Sequence, residues 1–134
     1  MAQPSWKDNH PLFLISTGAL AWLVPGAGHF ILGEKRRGLV IGVAVILTFL
    51  VGLYVGSIGV IDPVHARPWY AAQVMNSPIV MLLGRVSASG NYRVFGRANE
   101  IGQIYTSIAG LLNLLCIVNA VYTAHLRSIE EAQA

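Results

Sequence analysis

Three stretches of the chain are apolar for long enough to predict membrane-length helices, and charge, proline and glycine separate them. The first runs from Leu12 to Gly33. As one helix it would be about 33 Å long, enough to cross a hydrocarbon core of about 30 Å. Pro25 interrupts it, because its nitrogen cannot donate to the carbonyl of Ala21. The pattern therefore predicts a span with a kink or a short unwound turn over Pro25-Gly26-Ala27-Gly28, and His29 directly behind the break. Ala19-Leu20-Ala21 also fits the small-x-small rule of a signal-peptide cleavage site, which is the competing reading of this stretch.

The second stretch, Gly38 to Ile61, holds no charged residue over 24 positions. It predicts about 36 Å of helix, enough to cross with tilt. Gly38, Gly42, Val45, Phe49, Gly52, Gly56 and Gly59 follow one another in alternating steps of four and three, which places them on one face. In lipid, helices associate by close backbone approach, and a small-x-x-x-small pair such as Gly52 and Gly56 permits it. The stripe predicts a packed helix whose partner is either another span of this chain or a different protein. The third stretch runs from Gly102 to Leu126. Thr106, Gly110, Asn113, Ile117, Ala120 and Ala124 repeat the same steps along a small, partly polar face. Asn113 is placed to hydrogen-bond to a neighbouring helix, a contact of about 0.6–2 kcal/mol in a membrane. Asn119 lies on a different face and suits a second neighbour.

The region between Asp62 and Ile101 reads differently. Asp62-Pro63 and Arg67-Pro68 are turn or helix-start signals. Trp69 to Met75 predicts a short helix with an aromatic interfacial start, Asn76-Ser77-Pro78 breaks it, and Ile79 to Gly84 resumes it. At about 24 Å, Trp69 to Gly84 is short for a span. The cations weigh on this. If the piece does not cross, four cations face five across the membrane: Lys35, Arg36, Arg37 and Arg127 against Lys7, Arg67, Arg85, Arg93 and Arg97. If it crosses, the division becomes six against three, which the positive-inside rule prefers. Length and the internal break favour a re-entrant or interfacial helical pair over residues 68–86, with Ser87 to Asn99 as a loop. The expected fold is therefore all-α: a polytopic transmembrane bundle, one integral membrane domain over 1–134. It has three full spans near 12–33, 38–61 and 102–126 plus that broken pair, four spans being the alternative.

Composition reinforces the pattern. Hydrophobic residues make up 54% of the 134 and charged residues 11%, against about 25% charged in an average soluble domain. A soluble fold this small would expose large apolar patches; a bilayer, the expected partner, covers them. The net charge of +3 is spread thinly and forms no dense basic face, so nucleic acid is excluded as a partner. Lys35, Arg36 and Arg37 are the strongest orientation signal. They place the Glu34–Arg37 turn in the cytoplasm and, with one span before it, the N-terminus outside.

Two segments carry a resemblance. Ala21-Trp-Leu-Val-Pro-Gly-Ala-Gly-His-Phe-Ile-Leu-Gly33, with the basic residues and Gly38-Leu39 after it, and Ile108-Ala-Gly-Leu-Leu-Asn-Leu-Leu115 together resemble an uncharacterised family of small bacterial multi-pass membrane proteins, a domain of unknown function. The first segment alone is similar to the two-helix transmembrane domain with a Gly-x-x-His-x-Phe-Tyr-x-Gly turn, although Ile31 stands where that domain has tyrosine. The resemblance implies location in the bacterial inner membrane and is silent on activity.

Candidate chemistry is sparse. None of Asp8, Glu34, Asp62, Glu100, Glu130 and Glu131 falls inside an apolar run, which argues against an ion-coupled transporter, whose coupling groups sit at membrane depth. One cysteine, Cys116, allows no internal disulfide and no cysteine-based metal site. No phosphate loop or nucleophile triad can be assembled, and no enzyme activity is expected. His29 is the ionisable residue placed at depth, either bonding a group freed by the break or ligating haem or a chlorophyll-type pigment. The two small-residue stripes point to a non-catalytic structural or accessory subunit, binding other membrane subunits or itself. The two helix breaks point to a small-molecule transporter or channel component.

Overall fold

The computed structural model describes residues 6–90, 92 and 96–133, and of residues 6–10 the backbone alone. It is all-helical: α1 (Trp6–Leu23), α2 (Ala27–Ile31), α3 (Lys35–Gly56), a 3-10 turn (Ile58–Val60), α4 (Arg67–Val74), α5 (Ile79–Gly90) and α6 (Arg97–Gln133). No strand occurs among the described residues.

The two longest helices, α3 and α6, run antiparallel and form the spine. Near one end they touch backbone to backbone. A Cβ on Gly52 would stand 2.9 Å from the Thr106 nitrogen, and one on Gly102 would stand 2.9 Å from the Gly56 Cα. At the other end Arg127 of α6 reaches the turn before α3, its guanidinium 2.8 Å from Glu34 Oε1 and bonded also to the Leu32 carbonyl. Gly38, Gly42, Val45, Phe49, Gly52 and Gly56 are the buried residues of α3. The glycine stripe is thus used inside the chain. Its far half packs on α6 and its near half on the Pro25 break, whose carbonyl would lie 2.7 Å from a Cβ on Gly42. Gly59 does not belong to it. The predicted helix to Ile61 stops at Gly56, because Ser57 takes a positive φ of 62° and starts the 3-10 turn.

The first apolar stretch does not run straight. A Cβ on Gly28 would lie 2.9 Å from the Ala21 Cβ and 3.5 Å from the Thr17 carbonyl. In a continuous helix residues 17 and 28 would be about 16 Å apart. The chain reverses at Pro25-Gly26, and α2 descends beside the end of α1. Leu14 and Leu32 accordingly pack together against Ala120 and Ala124 of α6. The straight helix expected over 12–33 is thus replaced by a hairpin, and the start of α1 and the basic turn lie at the same end of the bundle, not at opposite ends.

The middle region makes a second hairpin of opposite sense. α4 runs along α6 from the Gly52–Gly102 end inward, with Trp69 beside Ser107, Ala72 beside Gly110 and Met75 beside Asn113. After Asn76-Ser77-Pro78, α5 turns back, so that a Cβ on Gly84 would meet the Tyr70 ring at 2.8 Å. The pair folds back as its length and break predict. The expected loop at Ser87–Asn99 is shorter than the pattern implied, since α5 continues to Gly90 and α6 begins at Arg97. Residue 91 and residues 93–95, Arg93 among them, lie outside the described residues. Each half therefore reads helix, break, helix, long helix, and the second half is inverted relative to the first.

Two helices, α3 and α6, are long and apolar enough to cross a membrane, with mean hydropathies of 2.6 and 1.8 over their most apolar stretches. Only 28% and 33% of those stretches are buried. The core helix of a soluble protein is covered on most sides; here Val40, Leu47, Leu115 and Val118 stand outward in the open.

Candidate functional site

The two breaks meet inside the bundle. From the first, the Trp22 indole nitrogen donates to the Val74 carbonyl at 2.9 Å, and the Leu23 carbonyl accepts from Ser77 Oγ at 3.0 Å. The second is capped from α6, where Asn113 Nδ2 donates to the carbonyls of Met75 at 3.0 Å and Asn76 at 2.9 Å. One turn earlier on α4, Gln73 Nε2 donates to the Val60 carbonyl at 3.1 Å and to Thr106 Oγ1 at 2.8 Å. A helix break frees carbonyls, each costing several kcal/mol if left unmet in an apolar interior. The small face of α6 supplies the donors, and Gly110 lets α4 come close enough to use them.

The donors of Trp22, Ser77, Gln73 and Asn113 are spent on backbone or hydroxyl oxygens, and acceptors are left over. Gln73 Oε1, Asn76 Oδ1 and Asn113 Oδ1 are buried and accept from no protein group. The layer around the two tips is therefore rich in unpaired acceptors and holds no carboxylate among the described residues. It suits hydrogen-bond donors or a small cation and disfavours anions.

Of the residues picked out in the sequence, Pro25, Gly26, Gly28, Gly38 and Gly42 form the first tip and its seat on α3, while Gly110 and Asn113 seat and cap the second. Gly52 and Gly56 hold the α3–α6 crossing outside this layer. His29 is 1% exposed and its Nε2 atom is buried without a partner. A ring so enclosed offers no open face to a planar macrocycle, so the geometry does not favour haem or pigment ligation. Lys35, Arg36 and Arg37 stand at the basic end, with Arg37 3.3 Å from Glu34 Oε2. Gln73, Trp22 and Ser77 were not picked out as partners across the breaks. A signal existed for Gln73, which is three residues before Asn76 and so shares its helix face.

At the opposite end a cleft of about 210 Å³ is lined by Gly59, Asp62, His65 and Ser87 among others. Asp62 Oδ1 accepts from the amides of Val64 at 2.9 Å and His65 at 3.0 Å, and Oδ2 lies 3.1 Å from His65 Nδ1. Burial pushes the Asp62 carboxyl up, but the two amides and the His65 ring outweigh it and hold it below its ordinary value. A depressed folded-state value stabilises the fold above the unfolded value and loses that contribution as pH falls through the folded one. Below about pH 4, wild-type protein is expected to lose more melting temperature than Asp62→Asn does, as read by thermal melts between about pH 5 and 2.

The fold and these contacts define an all-helical bundle with two membrane-length helices and two opposed, interior helix breaks. The chain belongs to a family of unknown function, DUF6677, whose model matches residues 16–132, a stretch that includes both breaks and both long helices. No curated protein and no solved structure matches it.

Proposed function

We propose that this chain is a multi-pass protein of the bacterial inner membrane and acts as a transporter or channel component for a small solute that is neutral or singly cationic. The meeting of two opposed helix breaks in a layer with three unpaired buried amide oxygens is the observation that supports it. Irregular backbone persists at membrane depth where it is enclosed by protein or lines a polar path. Transport folds built from inverted repeats place their binding sites at such discontinuities. The tips are hydrogen-bonded to each other, so this conformation is closed, and opening requires parting the Trp22–Val74 and Ser77–Leu23 contacts. The basic turn at Lys35, Arg36 and Arg37 is assigned to the cytoplasm by its charge, and the N-terminus goes with it.

The reading of a non-catalytic structural or accessory subunit drew on the two small-residue stripes, and those are now occupied within the chain. What still favours it is Asn119, exposed on the outward face of α6.

Reconstituted vesicles decide between the two. Swelling and ion-sensitive dyes would report permeation of glycerol, ammonium and potassium. At least one of these is expected to pass faster than in empty vesicles, and Asn113→Leu, checked for retained helicity, should remove the excess. Folded wild-type protein that leaves the vesicles tight to all three would overturn the transport reading.

A further inference from the structure

The face of α6 turned away from the bundle carries a second seam. From Ile101 to Ile129, every residue reached by alternating steps of four and three is exposed. All are apolar or aromatic except Asn119, which Leu112, Leu115, Tyr122 and Leu126 flank. This is the spacing of a helix pair wound left-handedly about a shared seam. Two features separate it from a face that meets lipid alone. Ile129 continues the seam beyond Arg127, which binds Glu34 at the polar end of the bundle, so the seam outruns the apolar belt. Asn119 lies inside that belt. Its Oδ1 accepts from Thr123 Oγ1 at 3.2 Å, and its Nδ2 donates to no group among the described residues. Hydrocarbon offers no acceptor for it.

We infer that α6 packs along this seam against α6 of a second copy of the chain, about a twofold axis normal to the membrane. Two copies inserted the same way run their α6 helices parallel and in register, so Asn119 meets Asn119. An amide is self-complementary: each Nδ2 donates to the other's Oδ1, which has a second lone pair beyond the one Thr123 uses. A single asparagine in an otherwise apolar seam fixes register and oligomer state in this way. A symmetric pair also uses one patch on both copies, as closed twofold assembly requires. The inference does not depend on what passes through the bundle.

The test uses the full chain in its native membranes with Cys116→Ala as background. Leu115→Cys lies on the seam; Val118→Cys is also exposed but about a quarter-turn away. Oxidation is expected to yield a covalent dimer of the chain from Leu115→Cys and little from Val118→Cys. Adding Asn119→Leu, at an exposed position where the fold does not depend on it, should weaken dimerisation in detergent by about tenfold, read as a shift from dimer to monomer mass by light scattering. Equal cross-linking at the two positions, cross-linking to a different polypeptide, or a dimer indifferent to Asn119→Leu would each overturn the proposal.

Discussion

Replacing Gly110 with alanine is expected to prevent α4 from docking and to leave little folded protein. A Cβ at this position would stand 1.9 Å from the carbonyl oxygen of Ala72 and 2.9 Å from its carbon. Both are backbone atoms of a helix, so no rotamer change can relieve the contact. α4 would have to withdraw as a unit, taking with it the Gln73–Thr106 bond and drawing Met75 and Asn76 away from Asn113. Overpacking of a core typically costs about 1–3 kcal/mol; added to the released break, the loss should exceed about 4 kcal/mol. Gly18→Ala is the control, since its nearest neighbour is the end of the Val121 side chain at 3.3 Å, which can yield. Thermal melts and the monodisperse fraction in detergent should show near-wild-type behaviour for Gly18→Ala and a collapse for Gly110→Ala. Similar behaviour of the two variants would mean that α4 does not rest on α6 as described.

Gly110 and its stripe were legible in the sequence because packing in a helical bundle leaves a periodic record. The stripe from Gly38 to Gly56 is buried, as is the one from Thr106 to Ala124 apart from the half-buried Ile117, and the small residues recur in each at the helical spacing. The breaks were legible too, since proline removes a donor wherever it stands. The direction of the chain after a break was not. Pro25 states that the helix is interrupted, but a kink and a full reversal use the same residues, and a largely apolar stretch from Leu12 to Gly33 suits a straight span. The reversal is fixed by Gly28 meeting Ala21, and by α2 being only five residues long, facts of packing rather than of composition. Ser57 left no mark either, because a serine with positive φ has no signature of the kind a glycine gives. The sidedness followed from the assumption of a straight first span. Once α1 and α2 form a hairpin, Lys7 at the start of α1 joins Lys35, Arg36, Arg37 and Arg127 at one end, five cations against four, so charge alone does not decide the path of the second pair.

The reversal itself can be tested with two glycines that share a dihedral and differ in their surroundings. Gly26 and Gly33 have φ of 87° and 81°. In that region an L-residue pays about 1–2 kcal/mol, so alanine at either site should cost at least that. Around Gly33 nothing lies within 4 Å of a Cβ, and Gly33→Ala should show the dihedral strain and no more. Around Gly26 a Cβ would stand 2.2 Å from the carbonyl oxygen of Gly38 and 3.1 Å from the Gly42 nitrogen, both on the backbone of α3. Gly26→Ala should therefore cost several kcal/mol beyond Gly33→Ala, because the hairpin tip can no longer sit against α3 and the Trp22–Val74 and Ser77–Leu23 bonds are drawn apart with it. Denaturant titration in mixed micelles would read the difference between the two variants, in which the shared strain cancels. A span that merely kinked at Pro25 would carry Gly26 onward, away from Gly38, and the two substitutions would then cost the same.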